Sequence, residues 1–278
     1  MLKPNQPLQL NQSNLQDYLD CPRRFQLKVI EGLSLPTAYS EPIEIFEKAT
    51  QLGNRFHLIC QQFFSGIDPV LLENSLSDPD LQTMWDNFLP YGESLLKYRL
   101  YPEPLLSISF LGHKLIAKYD LIVELNPEQY LIIDWKTSAK KSPRPKLEKR
   151  LQTQLYPFIF NQAGNDLFPE ISISPTFIEM HYWYPLASEH EEVFPYSDDK
   201  NAKANNDLEQ ILSKINNSIS EGADFLLTDD KTTCHYCVFR SLCNRGIKAG
   251  PVGKSPPIEH EDLTNVQFDI DQVGEIEY

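Results

Sequence analysis

The sequence predicts an α/β protein whose mixed central sheet is flanked by helices. Three observations predict it. Apolar residues recur at helical spacing through the first hundred positions. The spacing then switches to strand-like alternation for three consecutive segments, and helical and extended segments alternate after that. The 278 residues are 41% hydrophobic, enough for one sizeable core or a core with a small appendage.

Ser13 followed by Gln16 reads as a capping box that opens a short helix ending near Phe25 or Leu27. Phe46, Ala49, Leu52, Phe56, Ile59 and Phe63 recur at three and four, predicting a helix over 42–64. A further helix is predicted over 80–98, with Pro90 breaking or kinking it. Segments 105–111, 114–125 and 129–136 read as three successive strands, joined at Gly112-His113 and Asn126-Pro127-Glu128. A Pro/Lys-rich loop follows, then a helix over 147–162, a strand over 176–186 and a polar helix over 199–220. The segment 234–243 reads as loop and short helix.

The formal net charge is −14, and a chain that coats nucleic acid over a broad face is usually basic. Half of that excess sits in residues 255–278, where Glu259, Glu261, Asp262, Asp269, Asp271, Glu275 and Glu277 occur without Lys or Arg. This acidic stretch, opening on Ser255-Pro256-Pro257, reads as a disordered or interaction tail. No apolar run is long enough to span a bilayer, and the first residues lack a signal-peptide core. The expectation is a cytoplasmic protein without a membrane partner.

The chemistry concentrates in Leu131-Ile132-Ile133-Asp134-Trp135-Lys136. Side chains alternate along a strand, so Asp134 and Lys136 share a face while Trp135 points away. A hairpin brings Asp120 of the preceding strand beside Asp134. Two neighbouring carboxylates repel unless a proton or cation lies between them, and a hard divalent ion suits the place. Alone, Asp-x-Lys is a weak signal that reads first as a surface ion pair at a strand end. Gln152 and Tyr156 lie four apart and share one helical face, and His57 sits on the long N-terminal helix. A basic cluster, Lys140, Lys141, Arg144, Lys146, Lys149 and Arg150, follows the Asp-x-Lys strand, fitting either a solvated loop or contacts to a nucleic-acid backbone.

Five cysteines in a chain of cytosolic character argue against a disulfide framework. Cys234, Cys237 and Cys243 form Cys-x2-Cys-x5-Cys, and with Cys21 far upstream they can form a four-thiolate site, for iron–sulfur or zinc. Cys60 has no such partner pattern and reads as a buried helix residue.

Together these motifs resemble the RecB/AddB-like branch of the PD-(D/E)XK nucleases, which includes the CRISPR adaptation nucleases. The resemblance is carried by Gly53-Asn54-Arg55-Phe56-His57, by Asp120, by Asp134-Trp135-Lys136-Thr137 and by Gln152-Thr153-Gln154-Leu155-Tyr156. The opening pattern from Ser13 to Cys21-Pro22 fits as well, and the match covers about residues 10–246. It departs at Ala117, where the family often has Gly, and in lacking the Pro before Asp120. The resemblance implies a restriction-endonuclease-like core at 31–225, an N-terminal helix at 1–30, a C-terminal cysteine segment at 226–250 and the acidic tail at 251–278. It implies that His57, Asp120 and Asp134 bind Mg²⁺ or Mn²⁺, with Lys136 catalytic and Gln152 and Tyr156 positioning. Glu103 is a weaker candidate for a supporting acid. It implies a [4Fe–4S] cluster on Cys21, Cys234, Cys237 and Cys243 that staples the terminal segments to the core; structural Zn²⁺ is the alternative. The implied activity is a DNA nuclease, exonuclease before endonuclease, acting on single-stranded or end-containing DNA in repair or recombination. The implied partner besides DNA is a separate helicase or recombination protein. Arg23, Arg24, Lys140, Lys141 and Arg144 are candidate DNA contacts. The competing function is a non-catalytic DNA-binding or scaffold subunit.

Overall fold

The computed structural model describes residues 7–34, 41–138, 141–168, 172–187, 191–235 and 237–246, with the backbone alone at 41–47. Lys140 and the acidic segment 251–278 lie outside the described residues.

Strand β1 (Gln9–Leu10) leads into helix α1 (Gln12–Asp20). The capping box is real but lies elsewhere than predicted. Asn11 Oδ1 accepts the Asn14 N–H at 2.9 Å, and Asn14 Oδ1 accepts the Asn11 N–H at 3.2 Å. The helix also stops earlier than predicted. Pro22 disfavours helical geometry at the residue before it, and Cys21 is extended (φ −161°, ψ 104°) ahead of the short helix α2 (Pro22–Phe25).

Helices α3 (Glu41–Phe64), α4 (Pro69–Asn74) and α5 (Pro79–Leu95) follow. Pro90 does not break α5. It forgoes one backbone hydrogen bond, and burial of Trp85, Phe88 and Leu95 around it holds the helix together.

Five strands come next: β2 (Arg99–Pro102), β3 (Leu105–Phe110), β4 (His113–Lys118), β5 (Leu121–Asn126) and β6 (Gln129–Trp135). Leu111 and Gly112, with φ of 47° and 83°, turn β3 into β4 as a tight hairpin. The stretch predicted as one strand, 114–125, is two. β4 belongs to a three-stranded sheet ordered β1-β4-β3, and β5 belongs to a five-stranded sheet. The chain changes sheets at Tyr119-Asp120, where Tyr119 donates its N–H to the Pro104 carbonyl at 3.0 Å.

The basic loop is partly helical, as α6 (Arg144–Glu148), before α7 (Leu151–Ala163). Then come β7 (Ile178–Trp183), β8 (Glu192–Pro195), α8 (Asp198–Glu221) and α9 (Lys231–His235). The larger sheet runs β2-β5-β6-β7-β8 and is mixed: β6 pairs parallel to β7, and its other pairs are antiparallel. This is the α/β architecture with flanking helices that the sequence predicts.

Strand β6 is apolar almost throughout because both its faces are buried. Tyr130, Ile132 and Tyr182 join the core under α7 and α8. Leu131, Ile133, Trp135 and Trp183 join a second core of aromatic rings under α3 and α5, where Tyr91 stacks on Trp183 at 5.0 Å between centroids. The alternation of His181-Tyr182-Trp183 is therefore core patterning.

His181 is a buried imidazole between two acids. Nδ1 lies 2.9 Å from Glu191 and Nε2 lies 3.1 Å from Glu179, while Tyr91 donates to Glu191 at 2.8 Å. Burial disfavours the charged ring, but the two carboxylates outweigh it and raise its pKa. A raised histidine value contributes stability below the unfolded value near 6.5, and that stability is lost as pH rises through the folded value. His181→Gln is thus expected to cost about 1.5–3 kcal/mol at pH 6 and clearly less at pH 9. Chemical denaturation at the two pH values tests this; an equal cost at both would contradict it.

Candidate active site

The site forms where the hairpin of β5 and β6 opens toward α3 on one face of the sheet and α7 on the other. Leu121 pairs with Ile133, which sets Asp120 beside the end of β6. Asp120 Oδ2 accepts the Trp135 N–H at 2.8 Å, and Oδ1 lies 3.0 Å from His57 Nδ1. One carboxylate thus ties the long helix to the sheet edge. Burial works against its charge, yet His57, the Trp135 N–H and Lys136 hold its pKa below the usual carboxylate range. His57 responds in the opposite sense: burial opposes its charging, and Asp120 raises its pKa.

Glu103 completes this group. It has φ of 54°, unusual for a residue with a side chain, and its N–H donates to the Asp120 carbonyl at 3.0 Å. Strained backbone of this kind persists where surrounding structure enforces it, often at functional sites. Ligand atoms of His57, Glu103 and Asp120 all lie within 4.8 Å of one another. Burial and the neighbouring Asp120 charge raise the Glu103 pKa, although Lys118 pairs with it. An imidazole and two mutually repelling carboxylates are a donor set that fits a hard divalent cation.

Asp134 and Lys136 lie deeper, 4% and 5% exposed, and both face α7 as strand alternation predicts. Lys136 Nζ is 2.5 Å from Asp134 Oδ2 and donates to Gln152 Oε1 at 2.9 Å. Gln152 in turn donates to Asp134 Oδ1 at 2.5 Å. Burial raises the Asp134 pKa despite Lys136, and burial pushes Lys136 down to about 8. Tyr156, one turn after Gln152, packs its ring 5.0 Å from Tyr119, and its carbonyl accepts the Tyr119 hydroxyl at 2.9 Å.

The structure therefore brings His57, Asp120, Asp134, Lys136, Gln152 and Tyr156 to one place. Its three-membered ligand group contains Glu103, and Asp134 is outside that group, engaged by Lys136 and Gln152.

The four cysteines Cys21, Cys234, Cys237 and Cys243 line one cavity, together with Arg24, Arg240 and Arg245. All are free thiols, and Cys60 lies apart, fully buried in α3. Four thiols that share a cavity with three guanidinium groups are a donor set whose chemistry fits a four-thiolate metal group of net negative charge. The segment carrying three of them is fastened to the N-terminal helices: Phe225 donates its N–H to Gln26 at 2.7 Å, and Arg23 donates its N–H to the Leu226 carbonyl at 3.1 Å.

Of the cations read as DNA contacts, the four among the described residues pair with acids of the chain, and Lys140 lies outside those residues. Arg23 pairs with Asp224 at 2.7 Å, and Arg24 with Asp17 and Asp20 at 2.7 Å each. Lys141 and Arg144 both pair with Glu192.

The family model of the PD-(D/E)XK nuclease superfamily matches residues 9–244. The chain belongs to this superfamily. No curated protein matches the sequence. Among solved structures, a "Putative exonuclease" from Eubacterium rectale is similar at 11% identity over 94% of each chain, with a TM-score of 0.51. Another, SSO0001, is 13% identical over 89% of this chain and 90% of its own, with a TM-score of 0.40.

In this PD-(D/E)XK nuclease α3 approaches the end of the sheet closely at Gly53. A Cβ at Gly53 would lie 2.9 Å from Thr137 Oγ1, next to Lys136. Gly53→Ala must displace α3 or Thr137, and His57 is one turn away. Helix propensity favours Ala over Gly by about 1 kcal/mol, so the fold should survive. We expect nuclease activity about 100-fold lower with an unchanged or higher melting temperature, and recovery in the Gly53→Ala/Thr137→Ala double variant. Wild-type activity in Gly53→Ala would show that the close approach is unimportant.

Proposed function

We propose that the protein is a deoxyribonuclease that uses Mg²⁺ or Mn²⁺ to hydrolyse phosphodiester bonds of single-stranded or end-containing DNA. The observation that carries this reading is the convergence of His57, Glu103 and Asp120 beside the Asp134–Lys136–Gln152 network. His57, Glu103 and Asp120 would hold the ion, with Asp134 as the adjoining acid. A bound ion would lower the pKa of a water and neutralise charge on a phosphoryl oxygen. Lys136, with its pKa near 8, places an ammonium where negative charge develops. Gln152 orients both members of the ion pair through its amide, and Tyr156 packs beside it.

Exonuclease action follows from the resemblance of the motifs and agrees with the name of the Eubacterium rectale protein. Repair or recombination in the cytoplasm is the assigned setting, with a separate helicase or recombination protein as partner. Among the described residues no helix is long and apolar enough to cross a membrane. We assign a [4Fe–4S] cluster to Cys21, Cys234, Cys237 and Cys243, stapling 1–30 and 226–250 to a nuclease core at 31–225; zinc on the same thiols is the rival.

The test is cleavage of labelled single-stranded, duplex and flapped DNA with Mg²⁺ or Mn²⁺. We expect turnover that EDTA and Asp120→Asn abolish, and a metal requirement about 10- to 100-fold higher in Glu103→Gln. The paired surface cations and the net charge of −14 favour one second reading, a non-catalytic DNA-binding or scaffold subunit. DNA bound without turnover in any metal would decide for it.

A further inference from the structure

We propose that Lys118 is a displaceable counter-ion of the candidate metal site: its ammonium competes with a divalent cation for the Glu103 carboxylate and leaves when the cation binds. The inference rests on the metal-dependent reading above and adds a residue to its site. Lys118 Nζ pairs with Glu103 Oε2. Backbone geometry sets up that contact. Lys118 ends β4, and Tyr119-Asp120 carries the chain to the other sheet. Two hydrogen bonds tie this crossing to the segment that carries Glu103. Tyr119 donates its N–H to the Pro104 carbonyl, and Glu103 donates its N–H to the Asp120 carbonyl, at 3.0 Å each. The ion pair therefore spans two chain segments that are held together at the site itself.

Each acid of the ligand group has a basic partner within the chain. Asp120 has His57 at 3.0 Å, and Glu103 has Lys118. The two partners differ in how they can respond to a metal. The His57 ring, once neutral, can itself be a ligand. An ammonium has no lone pair to offer, so it can only share the carboxylate or leave it. Sharing sets an ammonium against a divalent ion, and like charges repel. Leaving costs little: the Lys118 side chain is 48% exposed, against 10% for Glu103, and a half-exposed ion pair is weak. The flexible four-carbon stem can carry the charge into water. Exchange is therefore favoured over sharing.

The test measures metal on the full chain, without DNA. In an electron paramagnetic resonance titration with Mn²⁺, Lys118→Gln and Lys118→Met should each bind the ion about 3- to 10-fold more tightly than wild type. Lys118→Arg keeps the charge and should match wild type. In a Glu103→Gln background, Lys118→Gln should lose most of its effect. Amine labelling of wild type, read by mass spectrometry, needs no variant. Saturating Mg²⁺ should raise the labelling rate of Lys118 about 3- to 10-fold and leave Lys114, exposed on the same strand, unchanged. Equal or weaker Mn²⁺ binding in Lys118→Gln and Lys118→Met, or Lys118 labelling that saturating metal does not alter, would overturn the proposal. Metal binding with both Lys118 effects but no cleavage of any DNA sinks the nuclease reading and leaves the exchange standing. Metal-dependent cleavage without the Lys118 effects does the reverse. Failure of wild type to bind Mn²⁺ overturns both.

Discussion

Lys136→Met is expected to lower the cleavage rate by about 10³-fold and to destabilise the fold by about 3–5 kcal/mol. The second effect should be reversible by a further substitution, and the first should not. The Lys136 ammonium lies 2.5 Å from Asp134 Oδ2 inside the protein, so its removal strands a buried carboxylate. Asp134 already has a raised pKa, and protonation absorbs part of the cost. Adding Asp134→Asn removes the stranded charge, because Gln152 can still hydrogen-bond a neutral amide. The double variant should regain most of the stability and remain inactive. A pH series in EDTA gives an independent check. Burial holds Lys136 near 8, against 10.5 in the unfolded chain. Between those values the unfolded state binds a proton that the folded state has released, so the Lys136 contribution to stability rises with pH over that window. The stability difference between wild type and Lys136→Met should therefore widen from pH 8 to pH 10. A constant difference, or a double variant as unstable as the single one, would refute this account of the pair.

The parts of the fold that sequence reveals are those set by periodicity. α3, α7 and α8 follow apolar spacing, and Asp134 and Lys136 share a face because strand alternation leaves no other choice. The break at Tyr119-Asp120 is invisible to the same reasoning, since β4 and β5 alternate alike and only pairing assigns them to different sheets. That break is also what exposes the Asp120 carboxylate to both Trp135 and His57. Glu103 could be suspected as an acid between two prolines just ahead of a strand, but its left-handed backbone is a product of tertiary context. Partners remote in sequence were beyond reach for the same reason. Arg23 meets Asp224 two hundred positions away, so a cation that reads as available for DNA turns out to be engaged.

The cysteine cavity carries the second large prediction, on stability rather than chemistry. Cys21→Ser should abolish absorbance near 400 nm in anaerobically purified protein and lower the melting temperature by about 5–15 °C, taking about 2–5 kcal/mol for the lost link. The reason lies in how little else holds the C-terminal segment. Among the described residues beyond α8, the regular structure is the five-residue α9, and the buried side chains are Phe225, Cys234 and Phe239. The segment's ties to the N-terminal helices, among the described residues, include two backbone N–H bonds, a bond from Gln26 Nε2 to the Ala223 carbonyl at 3.4 Å, the Arg23–Asp224 pair and the Phe25–Phe225 stack at 6.5 Å. Such a segment opens readily once the proposed cross-link is gone. None of its described residues belongs to the His57–Glu103–Asp120 group or to the Asp134–Lys136 network. Below its melting point, Cys21→Ser should therefore keep the wild-type dependence of cleavage on Mg²⁺ concentration. Cys60→Ser should leave the absorbance intact, since that thiol is buried in α3 away from the cavity. Colourless wild-type protein with one zinc per chain would replace the cluster by zinc while preserving the stability argument. An unchanged melting temperature in Cys21→Ser would sink the staple itself, because four thiols that share a cavity without joining anything have no mechanical effect to lose.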